Sequence, residues 1–293
     1  MSQRSLSTAD AAVDATAGPF IDALIIAFLS EAGRAGYAED LRWAAGLCRA
    51  TWGEEQIWAG LVHVRRGRMQ RTHLMYAAWR GKVARMRWLL ARGATTEVRD
   101  SDGATALHHV TRSNEAACAL IEAGADVNAR TNNGFTPVFY TCSIGAVDVL
   151  QTLIAAGADV DLSTNSGRTP VHAASRFNKV DALRILVANG ADVNTADTLG
   201  QSPIYVASAH GYVDALRVLI AAGADVNTST RFSRHTPVYV ACKKDNAEVL
   251  RILIAAGADV NFAAHDGSTP LSTARAISPH SEVVRLLLAA GAY

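Results

Sequence analysis

The chain has 293 residues, of which 49% are hydrophobic and 19% are charged, so it can bury a large core and is not globally disordered. Its length suggests two domains or one elongated domain. Basic and acidic residues nearly balance, 28 against 27, which excludes a surface that is basic overall and suited to nucleic acid.

Cysteine usage and hydropathy indicate the compartment. The four cysteines, Cys48, Cys118, Cys142 and Cys242, form no Cys-x-x-Cys pair, which excludes a disulfide scaffold and argues against a structural zinc site. The longest apolar run, 20–29, contains Asp22 and is about half as long as a membrane-spanning helix. No secretory signal pattern precedes it. We therefore expect an intracellular protein, cytoplasmic or nuclear, without a membrane partner.

The first 66 residues differ from the rest of the chain. Residues 1–18 are rich in Ser, Thr and Ala without an apolar period, and they predict a disordered tail. Residues 19–66 predict a small helical module, with helices over 20–30 and about 39–51 and 54–64. The simplest interpretation is a helical cap for the structure that follows.

A second interpretation of this module rests on its apolar and Trp positions. The order of Leu24 to Leu29, Leu41, Leu47-Cys48-Arg49, Trp52 and Ile57-Trp58 resembles that of an F-box. This resemblance implies that Leu47, Trp52 and Trp58 contact an adaptor subunit of a ubiquitin ligase. The cap and the F-box-like module both stay open on the sequence alone.

A basic segment follows, because residues 56–96 contain no acidic residue. Its nine cations are Arg65, Arg66, Arg68, Arg71, Arg80, Lys82, Arg85, Arg87 and Arg92. Such a patch could hold an anion. The alternative, which we favour, is a solvated surface whose arginine stems cover Trp79 and Trp88. We do not expect nucleic-acid binding, since no RNA- or DNA-binding motif accompanies the charge.

An internal repeat occupies the remainder of the chain. A Thr or Ser, followed by Pro in the last five copies and by His73 or Ala106 in the first two, recurs at intervals of 31 to 34 residues, at Thr72, Thr105, Thr136, Thr169, Ser202, Thr236 and Thr269. A Thr or Ser hydroxyl can cap the first turn of a helix, and proline suits the first helical position. Each of these positions therefore predicts the start of a helix.

Two further positions keep the same period. Nine residues after each cap stand Gly81, Asn114, Gly145, Asn178, Gly211, Asp245 and Ser278, mostly types that tolerate a left-handed backbone, which predicts the end of the first helix. A second apolar helical stretch then runs to Gly-Ala-Asp-Val-Asn or a close variant. The polar residues between this sequence and the next cap predict a projecting turn.

The sequences Thr169-Pro-Val-His-Ala-Ala and Gly190-Ala-Asp-Val-Asn resemble the ankyrin repeat. The resemblance covers residues 67–293 and implies seven repeats, each a turn and two antiparallel helices, in an all-α solenoid. It also implies a non-catalytic scaffold for binding other proteins. Two departures from the pattern are Arg234, in place of a turn glycine, and the second repeat, which lacks two residues that we place after Asn114.

Catalytic, cofactor-binding and metal-binding motifs are not apparent in the sequence. It contains no phosphate-binding loop, Gly-x-Ser-x-Gly, His-Glu-x-x-His or dinucleotide motif, so we expect no enzyme activity, cofactor or metal. His108 and His172 share the position three after the cap, which favours a structural role. Cys142 and Cys242 occupy a position where small residues stand in other repeats, and packing explains them better than reactivity.

The ankyrin resemblance places partners along the turn tips and the exposed face of the first helices. In repeats three to six, we expect an acidic or aromatic-containing protein segment to bind there, because arginine and aromatic side chains dominate binding hot spots. The expected contact residues are Phe135, Arg168, Arg176, Phe177, Leu199, His210, Arg231, Phe232, Arg234, His235, Lys243 and Lys244.

Overall fold

A computed structural model describes residues 70–293, so the predicted tail and the predicted N-terminal module both lie outside the described residues. Within this range the structure contains thirteen α-helices and one short 3-10 helix, and no strand. In chain order they are α1 (His73–Trp79), α2 (Val83–Leu90), the 3-10 helix (Ala106–His109), α3 (Asn114–Glu122), α4 (Pro137–Ile144), α5 (Val147–Ala155), α6 (Pro170–Arg176), α7 (Val180–Ala188), α8 (Pro203–His210), α9 (Val213–Ala221), α10 (Pro237–Lys243), α11 (Ala247–Ala255), α12 (Pro270–Ile277) and α13 (Glu282–Ala289).

The predicted caps begin the first helix of each pair. The Thr136 hydroxyl accepts a hydrogen bond from the Phe139 N–H at 3.2 Å, and Thr236 accepts one from Tyr239 at 3.1 Å. Proline is the first residue of α4, α6, α8, α10 and α12, where its missing N–H removes no helical bond. The Thr/Ser-Pro pattern therefore predicted these helix starts correctly.

The second repeat departs from the prediction. Thr105 begins only the 3-10 helix, and Asn114 does not end a first helix but begins α3, with Ser113 as its cap. The two missing residues are thus lost before Asn114, not after it. The chain between the two caps is too short for a full α-helix and the usual turn, and the first helix contracts to one tight turn.

The ends of the other first helices agree with the prediction. Asn178 and Asp245 adopt φ of 51°, in the left-handed region, as do the glycines at the same position in other repeats. Ser278 also ends its helix, α12, as predicted, but with φ of −147°. This extended residue leads into a separate cap at Ser281.

First helices pack on first helices and second helices on second helices, so the pairs form two layers. Leucines of the second helices fill the space between the layers, and Leu150, Leu183, Leu216 and Leu250 are fully buried. The first helices contribute Val138, Val171, Ile204 and Val238 at one repeated position, also fully buried. Because these residues hold one face of each first helix in the core, the opposite face of that helix lies at the surface.

The projecting turns are bonded to one another along the stack. Backbone N–H groups donate to carbonyls of the preceding turn, for example Thr198 to Ser166 at 3.0 Å and Arg231 to Leu199 at 2.9 Å. The turns therefore hold a fixed register beside the exposed faces of the first helices. Among the described residues, no helix is both long and apolar enough to span a bilayer.

Candidate functional site

A groove crosses the exposed faces of three successive first helices, α6, α8 and α10. Its volume is about 320 Å³. The end of α6 contributes Arg176, and the turns before α8 and α10 contribute Gln201 and His235. The remaining lining residues are Tyr205, Val206, Ala209 and His210 of α8, with Val240, Lys243 and Lys244 at α10.

Helical periodicity explains which side chains reach the groove. Ile204, Ala207 and Ser208 of α8 are fully buried toward the core. Tyr205 and Ala209 are four residues apart and therefore lie on one face of the helix, away from that core. Val206 and Val240, which are 7% and 6% exposed, form an apolar floor.

The groove is positively charged. Arg176, Lys243 and Lys244 are exposed, and no carboxylate is among the lining residues. Each of the two flanking helices thus ends in cations that face the α8 surface between them. Such a concentration of one sign of charge attracts an anionic group.

Two histidines stand among these cations. Burial, followed by the charges of Arg176 and Lys244, lowers the pKa of His210 below its usual range. Burial and the charge of Lys243 lower the pKa of His235, against an opposing effect of Asp266. Both effects favour the neutral imidazole.

Neighbouring tyrosines hold both imidazole rings. His210 stacks on Tyr212 with 5.4 Å between ring centroids, and His235 stacks on Tyr239 at 4.1 Å. The Tyr239 hydroxyl lies 3.0 Å from the Ser268 hydroxyl, within hydrogen-bond distance, which fixes the outer end of the second stack. The ring nitrogens are therefore presented on a preorganised surface.

The comparisons with known proteins identify the repeat. The family model for ankyrin repeats matches residues 74–164, 141–230 and 204–293, which together cover more than half of the chain. The chain belongs to the ankyrin repeat family. No curated protein matches it.

Among solved structures, the ankyrin stack is similar to the crystal structure of the human ASB11 ankyrin repeat domain. The two share 28% sequence identity, with a TM-score of 0.67. The similarity covers 75% of this chain and 98% of that chain. The two-layer helical stack is therefore that of a known ankyrin domain.

The groove of α6, α8 and α10 brings together five of the residues predicted to contact a partner: Arg176, His210, His235, Lys243 and Lys244. Phe177, Leu199 and Phe232 do not line it but are 49%, 45% and 70% exposed, high values for large apolar side chains. Arg231 is likewise exposed in the turn beside Phe232. These four residues remain available to a partner that extends beyond the groove.

The other three predicted contact residues make contacts within the stack. Phe135 is half-buried, with its ring centroid 4.9 Å from that of Phe139. The Arg168 guanidinium lies 3.3 Å from the buried carboxylate of Asp197. The Arg234 guanidinium stacks over the Phe262 ring at 4.8 Å, and Arg234 has a φ of 55° where other turns have glycine.

Sequence analysis missed the apolar and aromatic part of the groove. Val206 and Val240 share the position four after the cap, and Tyr205 shares the position three after the cap with the structural histidines His108 and His172. They pack and line the groove at once, because the floor of a shallow groove is also the outer edge of the core. The sequence of α8, Pro-Ile-Tyr-Val-Ala-Ser-Ala-His, is apolar on most of its faces, so no amphipathic pattern marks these residues in advance.

The buried histidines and cysteines belong to the structure of the stack. His172 accepts a hydrogen bond at Nδ1 from the Thr169 N–H at 3.1 Å, and its Nε2 lies 2.9 Å from the Gln201 carbonyl oxygen. Burial raises the pKa of the Cys142 and Cys242 thiols far above neutrality, which keeps them protonated and unreactive. Within residues 70–293, no cluster of three or more His, Cys, Asp or Glu residues is arranged to hold a metal ion.

The structure also describes residues 70–96 of the basic segment. Arg80 and Arg92 stack over the rings of Trp79 and Trp88, at 4.7 Å and 4.2 Å, as the solvated-surface interpretation predicted. Arg71 lies 3.6 Å from the buried Asp100 carboxylate. Arg65, Arg66 and Arg68 lie outside the described residues, as do the F-box-like positions Leu47, Trp52 and Trp58.

Proposed function

We propose that this chain is a non-catalytic protein-binding scaffold that takes an acidic segment of a partner protein in the groove of α6, α8 and α10. The single observation that carries the proposal is a groove with three cations, no carboxylate and an apolar floor. Membership of the ankyrin family supports a role in protein binding.

The exposed residues around the groove extend this surface. A peptide backbone following the stack past the groove would meet Phe177 and the turn residues Leu199 and Phe232. Large apolar side chains supply buried area, whereas the cations select a partner of opposite charge. The proposed partner is therefore an acidic segment that also carries apolar or aromatic side chains.

The test compares two charge-reversed forms of the full chain in affinity purification from cell lysate. K243E/K244E reverses the charge of two groove residues. R184E/R217E makes the same change in charge at exposed positions of the second helices α7 and α9. We expect K243E/K244E to lose a partner that the wild type and R184E/R217E retain. Equal melting temperatures for the two variants confirm that both are folded, and K243Q/K244Q replaces the groove variant if it melts early. A partner set that is the same in all forms would contradict the proposal.

The adaptor role is the second candidate function, favoured by the order of Leu and Trp positions in residues 19–64. In this role the N-terminal module binds a ubiquitin-ligase subunit and the repeats recruit the substrate. Full-length chain with Leu47, Trp52 and Trp58 replaced together by Ala should then lose the ligase subunit and keep the groove-dependent partner. Absence of any ligase subunit from the wild-type purification would contradict the adaptor role.

A further inference from the structure

We infer that the groove of α6, α8 and α10 recognises a phosphorylated serine or threonine in the partner segment. This inference rests on the proposed function, since it names the chemical group that the groove selects. It concerns Arg176, Lys243, Lys244 and the two histidines between them.

The number of cations favours a phosphate over a carboxylate. A phosphorylated side chain carries a charge of about −1.5 to −2 at pH 7 and three strong acceptor oxygens, whereas Asp or Glu carries a single charge. Three cations line one small groove, and Asp245 and Asp266 are the nearby acids, outside its lining. A single carboxylate would leave most of this charge unbalanced.

The types of donor also suit a phosphate. An arginine can bind two phosphate oxygens at once through its planar guanidinium, and lysines act as mobile point charges. Arg176 comes from α6, His210 and Tyr205 from α8, and Lys243 and Lys244 from α10. Donors thus come from three successive repeats, which suits a group with several acceptor oxygens that point in different directions.

The histidines add donors that respond to the ligand. His210 faces Arg176 and Lys244 and stacks on Tyr212, while His235 faces Lys243 and Asp266 and stacks on Tyr239. A phosphate dianion placed beside them opposes the effect of these cations and favours the imidazolium form. Each imidazole can then donate a hydrogen bond from both nitrogens.

The surroundings of the groove favour a phosphopeptide over a nucleic acid. The positions equivalent to Lys243 and Lys244 are Ser143 and Ile144 in repeat three and Ala276 and Ile277 in repeat seven. Ile144 and Ile277 are 43% and 47% exposed. At these two positions of the first helices, the cations therefore form one spot bordered by apolar side chains, whereas a nucleic acid needs a basic stripe along its backbone.

The experiment measures binding of the full chain to fluorescein-labelled peptide libraries by fluorescence anisotropy at pH 7. All libraries have mixed apolar and polar flanking residues, and they differ only in a central phosphoserine, glutamate or serine. We expect the phosphoserine library to bind at least about tenfold more tightly than the other two. K243E/K244E should lose this preference, and R184E/R217E should keep it.

Equal affinity for the glutamate and phosphoserine libraries, or no binding of the phosphoserine library, would overturn the inference. Binding of a labelled single-stranded RNA as tight as that of the phosphoserine library would overturn it as well. Phosphatase treatment of the partner captured by affinity purification distinguishes phosphate recognition from the scaffold function. If a groove-dependent partner still binds after dephosphorylation, the inference of phosphate recognition is wrong and the proposed scaffold function still stands.

Discussion

Two buried histidines show how a single side chain joins neighbouring repeats. His108 accepts a hydrogen bond at Nδ1 from the Thr105 N–H at 3.1 Å, and its Nε2–H donates to the Phe135 carbonyl of the next repeat at 3.1 Å. His172 makes the same pair of bonds to Thr169 and Gln201. Both sets of bonds need the neutral ring with its proton on Nε2, because a protonated Nδ1 cannot accept.

The stack should therefore lose stability in acid through His108. Burial lowers the pKa of His108 from 6.5 to about 4. The unfolded chain binds the proton more readily, so this contribution to the free energy of unfolding is complete above pH 6.5 and is lost between pH 6.5 and about 4. The full loss is at most about 3 kcal/mol.

Urea unfolding of the wild type and His108→Gln, at pH 7 and pH 4.5, measures this effect. Glutamine can accept and donate at similar positions without gaining a proton, and acidic residues titrate equally in both chains. We expect a larger fall in stability for the wild type than for the variant. Equal falls would show that His108 gains its proton as readily in the folded chain as in the unfolded chain, and so would contradict a lowered pKa.

At the scale of the helix, local chemistry made the repeated elements predictable. Ser202 and Pro203 predict the start of α8 because a cap and a first-turn proline act within one turn of the helix. The second repeat was less predictable, because Thr105 and Ser113 both cap a helix and the sequence does not say which helix shortens. The contraction to a 3-10 turn depends on the neighbouring repeats, which hold α3 in register.

The groove could be predicted only in part for a related reason. Arg176, His210 and Lys243 stand at comparable repeat positions, and that regularity placed them on one face. The enclosed space depends on how α6, α8 and α10 lie side by side, and this packing involves residues more than thirty positions apart. Val206 and Val240 consequently could not be assigned to the groove from their own repeats.

The turns give a prediction that separates backbone conformation from contact between repeats. Gly200 and Gly223 have φ of 76° and 83°, so alanine is strained at both positions. A Cβ at Gly200 would lie 2.5 Å from the Arg231 backbone nitrogen, whereas a Cβ at Gly223 would meet nothing within 4 Å. Gly223→Ala should cost about 1–2 kcal/mol from the left-handed backbone alone.

Gly200→Ala should cost at least about 1 kcal/mol more, because it also disrupts the hydrogen bond from the Arg231 N–H to the Leu199 carbonyl. Guanidinium unfolding of the two variants measures the difference. If Gly223→Ala destabilises the chain as much as Gly200→Ala, the bonds between turns contribute nothing beyond the turn itself.

Over the whole stack, each repeat is bonded to its neighbours at both ends of its helices. Besides the turns, the Asn194 side-chain oxygen accepts from the Asp225 N–H of the next repeat at 2.8 Å, and Asn227 accepts from Asp259 at 2.8 Å. Local bonds are present as well, since Asp192 accepts from the Asn194 N–H at 2.8 Å. The asparagines reach across the interface, so stability is a sum of repeat and interface contributions.

A central core substitution tests this dependence on neighbours. Leu219 is fully buried in α9, which packs on α7, α8 and α11, so Leu219→Ala opens a cavity that neighbouring repeats share. We expect a loss of about 2–5 kcal/mol in the free energy of unfolding. Leu199→Ala is the matched control, because the same side chain is 45% exposed there and its removal leaves no cavity. Thermal and urea unfolding should show a lower midpoint for Leu219→Ala alone; an unchanged midpoint would mean that α9 does not carry the contacts between repeats that the stack requires.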